Sequence, residues 1–135
     1  MLFRSLVIVD LGTALVFDAV SREGDYLGGA IAPGIGIASQ ALFSRAAMLR
    51  RVSIERPESV IGKNTVSSVQ SGLFFGYSDM VTGMVRRFRA ELGEDATVIA
   101  TGGYAALLLP ELDCIDHVEP NLNLDGLPRV FEANR

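Results

Sequence analysis

Three short runs of apolar and β-branched residues occupy most of the first 33 positions, and a turn containing glycine separates each run from the next. The runs are residues 6–9, 14–20 and 26–31, with the intervening turns at residues 11–13 and 22–25. Runs of this length bounded by such turns are typical of consecutive β-strands, because glycine adopts the backbone angles that tight turns require. The chain is therefore predicted to begin with three strands joined by tight turns.

Helical patterns follow these strands. Apolar residues recur at helical spacing over residues 35–49, after Pro33 and Gly34 end the third strand. Residues 50–63 are mostly polar and predict a surface loop, after which Asn64 or Thr65 can cap a long helix that runs to about residue 92. Three glycines interrupt this helix, which indicates a close approach by another element. They are Gly72, Gly76 and Gly83.

The last third of the chain returns to alternating strands and helices. We predict a buried strand at residues 97–100, a helix that ends at Pro110, a fifth strand at 114–118 and a terminal helix at 127–133 with Pro128 in its first turn. The resulting order, βββααβαβα, predicts an α/β fold with a mixed sheet of about five strands and helices packed on it. A chain of 135 residues is also the size of one domain, residues 1–135.

Composition excludes several classes of partner. The formal net charge is −4, which disfavours nucleic acid or an anionic membrane as a partner. The one basic cluster, Arg86, Arg87 and Arg89, falls late in a helix, where a solvated face is the simpler interpretation. The apolar residues 2–9 are too few to span a bilayer. A lone cysteine, Cys114, fits a reducing cytoplasm and is interpreted as a small buried residue on a short strand rather than a catalytic thiol.

The tetrapeptide Asp10-Leu11-Gly12-Thr13 stands at the end of the first predicted strand. Glycine lets backbone amides approach a phosphate, the threonine hydroxyl can donate to it, and the carboxylate can hold a cation. The alternative is an Asx turn in an ordinary hairpin. The tetrapeptide alone is compatible with both.

Three other motifs are equally ambiguous when each is considered alone. The pair Gly28-Gly29, followed by Pro33-Gly34, indicates close approach by a ligand or by another backbone, and a structural turn explains it as well. Thr101-Gly102-Gly103 could lie against a nucleotide or could simply turn a strand into a helix. The segment of residues 62–65, with Gln70-Ser71-Gly72 further along, has helix capping as its structural explanation.

In order and spacing, these motifs resemble those of the ribonuclease H-like, actin-like ATPase superfamily. In that superfamily two related domains clamp a nucleotide between D-x-G loops and a T-G-G adenosine loop. Together with the tail of residues 121–127, the set resembles the type III pantothenate kinases over nearly the whole chain. The motifs that carry the resemblance are D-L-G-T-A from Asp10, G-G-x-I-x-P-G from Gly28, G-x-N-T from Gly62, Q-S-G from Gln70, T-G-G from Thr101 and N-L-N-L-D-G-L from Asn121.

The resemblance implies a role for each matched position. Asp10 would bind a monovalent cation, potassium or ammonium, while Gly12 and Thr13 would contact ATP, which carries magnesium. Thr101, Gly102 and Gly103 would form the adenosine loop. Thr65 would contact pantothenate across a homodimer interface, for which the glycine-punctuated helix is the candidate.

The resemblance also implies what this chain lacks. The family's D-x-G-N loop and its G-x-D-R motif, which carries the catalytic Asp, are expected upstream of Asp10, so no catalytic residue is assigned here. Leu15 and Val16 stand where family members often have hydroxyls, and His117 is interpreted as a surface residue. We therefore expect the C-terminal half of a pantothenate kinase, inactive without an N-terminal half. The alternative is a non-catalytic dimerising or regulatory protein built on the same fold.

Overall fold

A mixed five-stranded sheet forms the centre of the protein. The computed structural model describes residues 4–46 and 49–134. The sheet has the order β3-β2-β1-β4-β5, in which β1 pairs antiparallel with β2, and β2 with β3, while β1-β4 and β4-β5 are parallel. The α/β class with a mixed five-stranded sheet is thereby confirmed. The strands are β1 (Leu6–Leu11), β2 (Ala14–Val20), β3 (Tyr26–Pro33), β4 (Thr97–Thr101) and β5 (His117–Val118).

The first hairpin is tighter than the sequence predicted. β1 continues two residues beyond residue 9, because Asp10 pairs with Val16 on β2 and with Thr101 on β4, and Leu11 pairs with Leu15. Only Gly12 and Thr13 remain between the two strands. Asp10 is therefore held inside the sheet rather than in the turn.

Within the described residues, four α-helices complete the fold: α1 (Ile35–Arg45), α2 (Thr65–Leu92), α3 (Ala105–Leu108) and α4 (Leu122–Ala133). The predicted start of the long helix is confirmed, since the Asn64 side chain accepts a hydrogen bond from the Ser67 amide at 2.9 Å and the Ser67 hydroxyl accepts from the Asn64 amide at 3.3 Å. The predicted end is also confirmed, with Gly93 at φ 121°.

The core lies between α2 and one face of the sheet. The odd-numbered residues of β1 and β2 point to this face, as the period of two in a strand requires. Full burial of side chains of this size contributes about 1.5–3 kcal/mol each, which makes this layer the main source of stability. The buried residues that meet here include Val7, Val9, Leu15 and Phe17 from the strands and Leu73, Phe74, Tyr77, Val81 and Val85 from α2.

Three predicted helix boundaries were wrong. The first helix ends at Arg45, not at residue 49, because Ala46 turns to extended angles of φ −99° and ψ 107°. Ala47 and Met48 lie outside the described residues, as do the first two residues of the apolar run 2–9. The last helix begins at Leu122, so Pro128 lies inside it rather than in its first turn. The predicted helix before Pro110 ends at Leu108, and a 3-10 turn, Leu109–Glu111, follows.

The predicted fifth strand shortens to two residues. Asp116 explains this, because its amide donates to the Val98 carbonyl at 2.9 Å and its carboxylate accepts from the Val98 amide at 2.8 Å. Cys114 therefore precedes β5 instead of lying on it, and it is only partly buried against the core.

Several large apolar side chains are left exposed by this packing. Leu124, Leu127 and Val130 on α4 are 61–66% exposed, and Ile31 on the edge strand β3 is 80% exposed. Among the described helices, none has the length and apolar character needed to cross a membrane. The other described residues therefore leave these apolar side chains largely uncovered.

Candidate functional site

The carboxyl ends of β1 and β4 bring two of the predicted motifs together. These strands are parallel neighbours, and Asp10 is paired with Thr101. In open α/β sheets this edge is where ligands bind. The Asp10 carboxylate accepts a hydrogen bond from the Asn123 side chain at 3.3 Å, and no described backbone amide donates to it. The alternative of an Asx turn is therefore not what the structure shows.

At Gly102, the Thr101-Gly102-Gly103 loop packs directly against the backbone of the turn after Asp10. Its φ is +98°, and a Cβ at this position would overlap the Leu11 backbone and lie 2.7 Å from both the Asp10 Oδ1 and the Gly12 nitrogen. The Tyr104 amide also donates to the Leu11 carbonyl at 2.9 Å. Only glycine fits such an approach, so this residue type is required by the contact between the two loops.

Two other glycines of the motifs have structural explanations. A Cβ on Gly29 would collide with the Phe17 carbonyl oxygen, and one on Gly34 would lie 2.6 Å from the Gly12 carbonyl oxygen. Both glycines therefore let one backbone approach another. At Gly29 the close approach of the β2 backbone explains the glycine without a ligand. At Gly34 the backbone packs directly against the turn at Gly12 and Thr13.

A cavity of about 620 Å³ opens beside these loops. Gly12 and Thr13 line one side, and Gly103 and Tyr104 line another. Three of these residues were predicted for the site, and Tyr104 was missed although it directly follows the T-G-G motif. The remaining walls come from α1 and from residues 51–54, where no sequence motif indicated a site.

The Asp10 carboxylate has an open side on which a cation could bind. A Cβ on Gly12 would lie 3.0 Å from Asp10 Oδ1, and one on Gly102 would lie 2.7 Å from the same atom. Because both positions are glycine, that oxygen stays accessible. Carboxylate and backbone oxygens are suitable donors for a hard cation, so the residues present fit the monovalent ion that the resemblance implied. Within residues 4–46 and 49–134, no group of three or more His, Cys, Asp and Glu side chains is placed to hold a metal ion.

Thr65 does not line this cavity. It is the exposed first residue of α2 and lines a separate cavity of about 560 Å³ together with Ser68, Gly72 and Leu42. The structure thus brings Asp10, Gly12 and the T-G-G loop together and leaves Thr65 apart.

The glycines of α2 have open space around them in this chain. Cβ atoms added to Gly72, Gly76 or Gly83 would meet nothing within 4 Å, and Gly72 and Gly76 are exposed. The close packing that the sequence predicted is therefore not made by the described residues of one copy.

The two departures from the family pattern differ in consequence. Leu15 is 1% exposed and packs in the core, so a hydroxyl there would not have reached the cavity. Val16 is partly buried, and it pairs with Asp10 on the face of the sheet that points away from the core. The substitution at Val16 is therefore the one that changes the surroundings of the carboxylate.

Two further candidates are structural. His117 is exposed on β5, as predicted. Burial raises the pKa of the Cys114 thiol, which keeps it in the neutral, unreactive form. Neither side chain lines the cavity.

Comparison with solved structures supports the fold. A Baf family transcriptional activator from Campylobacter jejuni superposes with a TM-score of 0.65 over 97% of this chain and 59% of its own, at 22% sequence identity. An identity this low speaks for the architecture alone. The two proteins therefore share the arrangement of the mixed sheet and helices described above.

Comparison of the sequence identifies the family. A family model of type III pantothenate kinases matches residues 2–87, which is more than half of the chain. A type III pantothenate kinase from Moorella thermoacetica is 56% identical over 128 residues, which cover 95% of this chain and 50% of the relative. A second, from a Roseiflexus species, is 50% identical over 130 residues and is 51% covered. The chain spans about half the length of these curated relatives, and it belongs to the type III pantothenate kinase family.

Proposed function

We propose that this chain is the C-terminal half of an ATP-dependent pantothenate kinase with the actin-like ATPase fold. The whole enzyme transfers the γ-phosphoryl group of ATP to the primary hydroxyl of pantothenate, the first step of coenzyme A biosynthesis. The main structural support is the contact of Gly102 with the turn at Gly12, which holds two nucleotide-type loops at one cavity. The lone cysteine agrees with a place in the cytoplasm.

Each loop has a distinct task in this proposal. The Thr13 hydroxyl and the Gly12 amide contact the phosphates of ATP, which arrives with magnesium, and the loop from Thr101 to Gly103 lies along the adenosine. Asp10 holds a monovalent cation, potassium or ammonium, that offsets phosphate charge. Phosphoryl transfer depends mainly on such positioning and charge neutralisation, so the chain needs no nucleophile of its own.

A second half of the site is needed to complete this chemistry. The chain offers donors on one side of a nucleotide, whereas its relatives are about twice as long. The exposed apolar residues Leu124, Leu127 and Val130 give an N-terminal half a surface to pack on. We therefore expect no pantothenate phosphorylation by the 135 residues alone, with the catalytic Asp supplied by that half.

A homodimer accounts for the position of Thr65. The exposed glycines Gly72 and Gly76 let two α2 helices approach closely, and Thr65 at the start of α2 then reaches the pantothenate bound by the other copy. Thr65 and Thr13 line different cavities, which supports a contribution from a partner rather than from the same chain.

Reconstitution tests the proposal. The chain is mixed with, or fused to, the N-terminal half of the Moorella thermoacetica relative, and pantothenate-dependent formation of ADP is measured. Activity is expected only when both halves are present, and Gly102→Ala should abolish it. Turnover by the isolated chain would refute the division of the site. A well-assembled pair without activity would favour the non-catalytic, dimerising or regulatory alternative.

A further inference from the structure

The cavity beside Thr13 has two walls that no motif predicted. One is formed by the first turns of α1, and the other by the extended segment of residues 51–54. Ser39 on α1 and Arg51 on the segment both line the cavity. With Gln40, these polar side chains stand among apolar neighbours such as Phe43 and Ile54, and they determine which chemical groups this side of the cavity can bind.

Ser39 is a mostly buried residue whose hydroxyl oxygen is not fully enclosed and has no hydrogen-bond partner among the described residues. The residue is only 6% exposed, it lines the cavity, and no described residue forms a hydrogen bond with its side chain. No fully buried side-chain nitrogen or oxygen of the described residues lacks a partner, so the unpartnered Ser39 hydroxyl is reachable from the cavity that it lines, where a bound group can form a hydrogen bond with it. Ser44 on the same helix is the contrast, because it is exposed and its hydroxyl donates to the Ala41 carbonyl at 3.4 Å.

The backbone amides that precede Ala38 at the start of α1 donate to no acceptor among the described residues. The first hydrogen bond of the helix runs from the Ala38 amide to the Gly34 carbonyl, and Gly34 has no side chain to cap the preceding amides. The first turn contains no acidic residue, so its positive end is not neutralised. Gly36 and Ile37, whose amides lie in this turn, line the cavity.

Arg51 adds a full positive charge to the same cavity. It is the one charged side chain among the residues that line it, and no carboxylate of the described residues pairs with it. The protein as a whole is negative, with a formal charge of −4. A cation, free helix amides and an unpartnered hydroxyl around one space form a site for an anion.

We propose that Ser39 and Arg51, with the first-turn amides of α1, bind the phosphate chain of a nucleoside triphosphate from the wall facing Thr13. This inference rests on the proposed function in that the triphosphate would be ATP. Arginine forms charge-assisted hydrogen bonds to phosphate oxygens, and the hydroxyl and amides supply shorter-range donors. The triphosphate is then held from α1 and residue 51 as well as from the turn at Gly12.

An NMR titration of the ¹⁵N-labelled chain with inorganic tripolyphosphate tests this site, with adenosine in a parallel titration. We expect tripolyphosphate at millimolar concentration to shift the amide signals of Gly36, Ile37 and Ser39, and adenosine to leave them unchanged. Arg51→Ala should weaken tripolyphosphate binding roughly tenfold and Ser39→Ala roughly threefold. The matched controls Arg50→Ala and Ser44→Ala change neighbouring residues that do not line the cavity, and should bind like the original chain.

Two results would overturn the inference. One is the absence of α1 shifts with tripolyphosphate, or shifts that persist unchanged in both Arg51→Ala and Ser39→Ala. The other is a response of the same amides to adenosine alone, which would assign this wall to the nucleoside. Failure of the two-half kinase reconstitution would refute the proposed function without altering this outcome, because tripolyphosphate binding is measured on the chain by itself.

Discussion

Replacing Gly102 with alanine tests the packing of the two loops against each other. A residue other than glycine at φ +98° is strained by about 1–2 kcal/mol, and the added Cβ would overlap the Leu11 backbone and lie 2.7 Å from the Gly12 nitrogen. Forced overpacking of this kind adds about 1–3 kcal/mol. We therefore expect Gly102→Ala to lower the free energy of unfolding by about 3 kcal/mol and the Tm by about 10 °C.

The neighbouring glycine is the control for this experiment. A Cβ on Gly103 would meet nothing within 4 Å, so Gly103→Ala should change the free energy of unfolding by less than about 0.5 kcal/mol. Both variants are measured by thermal and urea unfolding followed by circular dichroism. Equal destabilisation by the two substitutions, or a stable Gly102→Ala variant, would refute the contact between the T-G-G loop and the turn at Gly12.

Three further outcomes are expected. Potassium at ten times its Kd should raise the free energy of unfolding by about 1.4 kcal/mol, and with it the Tm. Asp10→Asn should abolish this response, and an equal response in both proteins would exclude Asp10 as the ligand. Gly76→Leu should lower the dimer fraction in sedimentation, whereas Gly126→Leu, a glycine on α4 that also has open space, should not; a monomer in every case would contradict the dimer. Burial raises the pKa of the Cys114 thiol, so its contribution to stability is complete below the unfolded pKa of about 8.5 and is lost as pH rises. The Tm should then fall less steeply above that pH in Cys114→Ser, and parallel curves would contradict this.

Most of the fold could be predicted from the local pattern. The bounds of β2 and the start and end of α2 follow from features that act within a few residues, such as the alternation in residues 14–20 and the cap at Asn64. Boundaries set by distant partners could not be predicted. β1 reaches Leu11 because β4 pairs with it 91 positions away, at Asp10 and Thr101, and β5 is short because Asp116 bonds to Val98.

The part of the candidate site that is built from glycines could be predicted from the sequence. Gly12 and Gly102 stand out in the sequence because glycine tolerates positions closed to other residues, and the structure brings these two glycines together. Ser39 and Arg51 give no such signal, since a serine on a helix and an arginine in a loop are ordinary. Their place at the cavity depends on how α1 and the following segment pack, which one sequence does not reveal.

Steady-state kinetics of the reconstituted two-half enzyme test the central claim most directly. Thr13, at the cavity, is assigned to ATP, and Thr65, on α2, is assigned to pantothenate. We expect Thr13→Ala to raise the KM for ATP and leave the KM for pantothenate nearly unchanged, and Thr65→Ala to do the reverse, each by roughly tenfold for the loss of one hydrogen bond to a charged or buried group. If both substitutions affect the same substrate, or neither affects any, the division of this chain into a nucleotide cavity and a separate pantothenate contact is wrong.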